Sequence, residues 1–146
     1  MKGHMGFEEG YNKKGKKEGL ETSWFENGQK RSEINYKNGK KEGLEIHWYK
    51  NGQKMFERNW KNGEMEGIWN LWYENGQKQI EINYTNGEIE GLHISWYENG
   101  QKGGEINYKN GELEGLWTFW DTEGNVTKTE TFKDGEMRKL FTTDRT

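Results

Sequence analysis

"WYENGQKQIEINYTNGEIEG", residues 72–91, returns at residues 96–115 as "WYENGQKGGEINYKNGELEG", and this recurrence decides the fold. The tetrad Asn-Gly-Gln-Lys begins at Asn27, Asn51, Asn75 and Asn99, with a degenerate copy at Glu123, so the period is 24 residues without insertion. Fixed self-similarity of this length marks a repeat architecture. A second turn pair recurs at Asn38-Gly39, Asn62-Gly63, Asn86-Gly87, Asn110-Gly111 and Asp134-Gly135. The segments between turns are rich in Ile, Trp and Tyr, so each copy reads as two strands and two turns. First strands are expected at about 20–25, 44–49, 68–73, 92–97 and 116–121, and second strands at about 31–36, 55–60, 79–84, 103–108 and 127–132. The expectation is one all-β domain over residues 1–146: an elongated, twisted, antiparallel single-sheet meander of about ten strands. Five repeats occupy 15–135, with partial capping copies at 7–19 and 136–146.

The composition is unusual for an ordered chain, with 32% charged residues and a mean hydropathy of -1.34. Eight Trp, seven Tyr and six Phe offset this, because each aromatic concentrates a large apolar area in one side chain. Twenty-one Gly and no Pro assign the turns to glycine chemistry. The absence of Cys excludes disulfides and thiolate chemistry, and no cofactor is expected. Residues 1–73 carry 14 basic and 11 acidic groups and residues 74–146 carry 8 and 14, giving halves of +3 and -6. Neither half has the basic excess that phosphate backbones require, so nucleic acid is an unfavoured partner. There is no apolar run of membrane-spanning length and no hydrophobic signal core, which leads to the expectation of a cytoplasmic protein without membrane association.

The first turn can be tested on paper. A two-residue loop at Asn75-Gly76 would put Trp72 on a face with Gln79 and Glu81, whereas a three-residue loop of Glu74-Asn75-Gly76 puts it with Lys78, Ile80 and Ile82. The second choice keeps apolar with apolar, and it requires a type I turn closed by a glycine bulge, with Gly52, Gly76 and Gly100 in the left-handed region. Continued along the strands, that register assembles a core face of Leu44, Ile46, Trp48, Phe56, Trp60, Ile68, Trp72, Ile80, Ile82, Tyr84, Leu92, Ile94, Trp96, Ile106, Tyr108, Leu116 and Trp120. The other face would carry Glu57, Glu81, Glu105, Tyr49, Tyr73 and Tyr97 beside a set that differs between copies: Glu45, His47, Trp69, Leu71, His93, Ser95, Trp117 and Phe119. No helical period is present to cover the apolar face, so strong coiling or a second copy would have to do so.

The letters "EGIWNLWYENGQKQIEINYTNGEIEG", residues 66–91, resemble the MORN-repeat family in its bacterial variant form. The resemblance covers residues 15–135 and implies a sheet of successive hairpins. Gly43, Gly67, Gly91 and Gly115 match that family's turn glycine; Trp48, Trp72, Trp96 and Trp120 its aromatic; and Glu33, Glu57, Glu81 and Glu105 its acid. It implies no shared catalytic residue. It points to scaffolding, dimerisation or protein binding, and specifically to YwqK-type antitoxins, the immunity partners of toxins.

Other chemical readings of the sequence are weaker. Glu57, Glu81 and Glu105 would stand about 9.6 Å apart on alternate strands, but a repeat gives each carboxylate the same surroundings, while acid and base catalysis needs unequal ones. His47 and His93, about 19 Å apart on the same spacing, cannot share a metal. Asn83 and Asn125 fit the short glycosylation pattern, which recurs by chance. Gly103 and Gly104 do not open a helix and so form no phosphate loop; they thin or bend the strand. The strongest candidate is a partner-binding face of Trp69, Tyr73, Tyr97, Trp117, Tyr49, Glu57, Glu81 and Glu105, whose mixture of flat aromatics and negative charge suits a basic protein such as a toxin domain. A self-dimerising scaffold is the alternative, and a lipid headgroup binder a weaker one.

Overall fold

The computed structural model describes residues 6–142, and the expected cap segment beyond Thr142 lies outside them. It is one antiparallel sheet whose strands follow in chain order. β1 (Phe7–Glu8) pairs with β2 (Gly19–Trp24), followed by β3 (Lys30–Lys37), β4 (Lys40–Trp48), β5 (Lys54–Lys61), β6 (Glu64–Met65) and β7 (Gly67–Trp72). β8 (Lys78–Thr85), β9 (Glu88–Trp96), β10 (Lys102–Lys109), β11 (Glu112–Leu113), β12 (Gly115–Trp120), β13 (Val126–Lys133) and β14 (Glu136–Thr142) complete it. The all-β hairpin-repeat expectation holds. Among the described residues the strands number fourteen rather than ten because both caps contribute one and two first strands are interrupted, β6 from β7 and β11 from β12. Among the described residues no helix is long and apolar enough to cross a membrane.

The two Asn-Gly pairs of each copy make different turns. At the first, the Tyr73 N–H donates to the Gln77 carbonyl (2.8 Å) and the Gly76 N–H to the Tyr73 carbonyl (2.9 Å), which closes the three-residue loop. Gly52, Gly76 and Gly100 have φ of 85°, 86° and 86°. A Cβ at Gly76 would be strained by that φ and would meet the Gln53 amide at 3.2 Å. Gly76→Ala should therefore destabilise the chain by about 1–2 kcal/mol, read as a lowered urea midpoint with an unchanged slope. At the second pair both residues are left-handed, with Asn86 at 50° and Gly87 at 83°, which makes a two-residue hairpin turn. A carboxylate 20 residues earlier in the same copy caps it: Glu66 accepts from the Asn86 N–H at 2.8 Å, and Glu18, Glu42, Glu90 and Glu114 act likewise on Asn38, Asn62, Asn110 and Asp134.

One step beyond the first turn the ladder departs from the expected register. Trp72 pairs with Lys78, but Leu71 pairs with Ile80, so Gln79 is an extra residue in β8. The same bulge falls at Arg31, Met55, Gly103 and Thr127. One inserted residue turns every later side chain to the opposite face. Trp48, Trp72, Trp96 and Trp120 thus share a face with Leu44, Ile68, Leu92 and Leu116, while Ile82, Tyr84, Ile106 and Tyr108 lie on the other. The single core face assembled from the sequence does not exist. A second irregularity, where Ile82 pairs with His93 but Tyr84 with Ile89, inserts two residues around Gly91 and leaves the faces unchanged.

The faces can now be named by content. The leucine face carries Leu20, Leu44, Ile68, Leu92 and Leu116, the Trp row from Trp24 to Trp120, and Glu33, Glu57, Glu81 and Glu105. The side chains of the row Leu20, Leu44, Ile68, Leu92 and Leu116 are 48–58% exposed. The varied face carries Trp69, Leu71, Ile82, His93, Trp117, Phe119 and their equivalents. Of the described apolar side chains only Ile82 and Phe132 are buried, both on the varied face, so no layer covers either side.

Candidate functional site

Strand alternation fixes which positions a visitor would meet. Comparing the copies position by position, three rows of the leucine face are nearly constant, with Leu or Ile at one, Trp at another and Glu at a third in four copies of five, while the row between the first two reads Thr22, Ile46, Asn70, Ile94 and Thr118. The varied face differs at four rows. One reads Glu21, Glu45, Trp69, His93, Trp117, and the next Ser23, His47, Leu71, Ser95, Phe119. The facing second strands read Ser32, Phe56, Ile80, Gly104, Lys128 and Ile34, Arg58, Ile82, Ile106, Glu130. Cross-strand pairs Glu45–Arg58, Trp69–Ile82 and Trp117–Glu130 put all four rows on one side.

The second copy carries a charged knot on that face. Glu45 is 1% exposed and accepts hydrogen bonds from Arg58 Nε at 2.8 Å, Trp60 Nε1 at 2.8 Å and Lys41 Nζ at 3.2 Å, with His47 Nε2 at 2.7 Å. Burial pushes its pKa upward, but the contacts from His47, Arg58 and Trp60 outweigh burial and hold the carboxyl well below the usual range. His47 also stacks on Phe56, with ring centroids 4.2 Å apart. Sequence reasoning treated Glu45 and His47 as two members of a variable list and Arg58 not at all. The usable signal was Arg58, which replaces the Ile of three other copies at the position facing Glu45.

Toward the C-terminal end the same rows become aromatic. Trp117 lies 4.7 Å from Phe119 and 5.4 Å from Phe132 between ring centroids. Trp69 Nε1, His93 Nδ1 and Trp117 Nε1, at one row in three successive copies, are buried without a hydrogen-bond partner in the structure. Burial also pushes the His93 pKa below its ordinary value.

The eight residues proposed for partner binding are not brought together. Trp69 and Trp117 lie on the varied face, whereas Glu57, Glu81 and Glu105 lie on the leucine face. Each of these carboxylates pairs with the lysine three residues earlier, Lys54 at 2.8 Å, Lys78 at 3.3 Å and Lys102 at 3.0 Å, so the row is not a free negative strip. Lys54 and Lys78 also lie over the Trp72 and Trp96 rings of the next copy, at 5.8 and 5.6 Å. Tyr49, Tyr73 and Tyr97 act as struts: their hydroxyls donate to the carbonyls of Trp72, Trp96 and Trp120, at 2.7, 2.7 and 2.8 Å. Beside them Asn51, Asn75 and Asn99 donate to the turn carbonyls of the next copy. These contacts couple neighbouring copies along one edge.

A one-sheet chain of coupled hairpins, with a constant face and a varied face, defines a repeat module whose individual copies cannot stand alone. The MORN repeat variant model matches it five times, at residues 17–38, 41–62, 65–86, 89–110 and 113–134. The chain belongs to the MORN repeat variant family. A search of curated proteins returned no match.

Proposed function

We propose that the chain is a non-catalytic binding module that covers a protein partner with its varied face, in the manner of an immunity or antitoxin protein acting in the cytoplasm. The observation that carries this reading is the uneven spread of the rows: four rows that differ between copies lie on the varied face, against the single row Thr22, Ile46, Asn70, Ile94 and Thr118 on the leucine face. A face needed only for the fold can repeat itself, as the Leu, Trp and Glu rows of the leucine face do. A face that reads an irregular partner has to differ from copy to copy, and large aromatics such as Trp69 and Trp117 are the side chains on which binding energy concentrates.

The test is capture by the immobilised protein, compared across three baits. A partner retained by the native chain and by Leu44→Ser/Leu92→Ser, but lost with Trp69→Ala/Trp117→Ala, is the expected result. Loss with the leucine-face variant alone would sink the proposal. It would favour the second reading, a self-associating scaffold, for which the exposed row Leu20, Leu44, Ile68, Leu92 and Leu116 speaks. Sedimentation velocity of the native chain and Leu44→Ser/Leu92→Ser separates that case, since only self-association would fall with the leucine row.

A further inference from the structure

At the three-residue-turn end of the sheet, spanning the third to fifth copies, a groove of about 340 Å³ opens between Tyr73, Tyr97, Trp96, Phe119, Ile80 and Ser95. Its floor is Gly103, followed by Gly104. The other copies hold Arg31-Ser32, Met55-Phe56, Gln79-Ile80 and Thr127-Lys128 at this pair. Neither glycine is among those with positive φ, so the backbone does not demand them. Space does: a Cβ on Gly103 would lie 3.2 Å from the Tyr97 ring, and one on Gly104 would lie 3.0 Å from Ser95 Oγ and 3.4 Å from Phe119. The missing side chains let Tyr97 and Phe119 settle against bare backbone and become walls.

The electrical setting is negative. No lysine or arginine lines the groove. The nearby Lys78 and Lys128 are each paired with a carboxylate, Glu81 and Glu130. Glu74 and Glu98, next in sequence to Tyr73 and Tyr97, form no ion pair among the described residues. The Tyr73 phenol is pushed above its ordinary pKa first by burial and then by the charge of Glu98, which places that field at the groove. Aromatic walls without a cation, beside unpaired carboxylates, suit a weakly hydrated planar cation best.

The geometry points to this groove as the seat of an arginine side chain from a basic segment of a protein partner, stacked against Tyr97 and drawn by Glu98. This assignment rests on the reading that a protein docks on the varied face, and it adds the partner's chemistry and point of entry. The test titrates the chain with a tri-arginine peptide, with tri-glutamate as control, following the amide resonances of Gly103 and Gly104. Saturable shifts at both amides are expected with tri-arginine alone. Gly103→Gln, which installs the third copy's residue on the floor, should weaken them about tenfold, the loss of one good cation–π contact. Glu98→Gln should weaken them less and flatten the salt dependence. Should Gly103→Gln disturb the fold by circular dichroism, Glu98→Gln and Glu74→Gln carry the comparison. Absence of saturation, equal response to tri-glutamate, or equal binding by these variants would overturn the assignment. A captured partner that binds native chain and Gly103→Gln equally, yet is lost with Trp69→Ala/Trp117→Ala, would remove the groove and leave the binding face intact.

Discussion

Glu45→Ala should destabilise the chain by about 3 kcal/mol, because removing one member of a buried ionic knot strands the others. Arg58, Lys41 and Trp60 all donate to that one carboxylate, and its replacement leaves two cations and an indole N–H without their shared acceptor. Equilibrium urea unfolding reads the loss, and a change under 1 kcal/mol would refute the account. The double variant Glu45→Trp/Arg58→Ile should recover most of the stability, since it installs the Trp69–Ile82 pair of the third copy and replaces charge by well-packed apolar surface. The native knot also sets a pH dependence. Folding holds the Glu45 pKa below its ordinary 4.5, so the stabilisation is complete above that value and is lost as pH falls below it toward the folded pKa. The Trp/Ile variant should lose less stability over the same acid range.

Ile82→Ala should cost about 3 kcal/mol, whereas Ile68→Ala should cost less than about 1 kcal/mol. Ile82 is 5% exposed between Trp69 and His93, while Ile68 is 48% exposed on the opposite face. A double-mutant cycle distinguishes the two registers. Trp69 and Ile82 are direct cross-strand partners and should show a coupling energy of about 0.5–1 kcal/mol. Trp72 and Ile82, which a strict alternation would place together, lie on opposite faces and should behave additively. The reverse pattern would restore the register without the bulge.

That bulge marks where the sequence ceased to be readable. The repeat, the strand positions and the hairpin order followed from spacing alone, whereas the three-residue loop at Glu74-Asn75-Gly76 rested on Trp72 sharing a face with Ile80 and Ile82, and the structure keeps the loop but puts those isoleucines on the face opposite Trp72. The alternation was then carried through Gln79 as though nothing intervened. Its equivalents, Arg31, Met55, Gly103 and Thr127, share no chemistry, and such tolerance is what an unpaired residue in a ladder permits. Gly43, Gly67, Gly91 and Gly115 announced the second irregularity but were read as turn residues. For the candidate site, variation between copies singled out Trp69 and Trp117, which the structure places on the varied face. The strut role of Tyr49, Tyr73 and Tyr97 was not legible, because nothing in a local sequence shows a phenol committed to a carbonyl 23 residues away. The glutamate row looked like free charge, although the lysine three positions earlier in each copy neutralises it.

At the last strand, Arg138-Lys139 stand where earlier copies have Glu-Gly, and the two-residue irregularity shrinks to one: Thr131 pairs with Lys139, but Phe132 with Met137. Leu140 therefore pairs with Glu130 on the varied face, although its predecessor Leu92 lies on the leucine face. The strand is turned over. A 24-residue copy grafted after it would build its Leu and Trp rows on the wrong side, whereas one spliced between two interior hairpins keeps every row in line. A copy spliced between interior hairpins therefore lengthens the module without turning a row over.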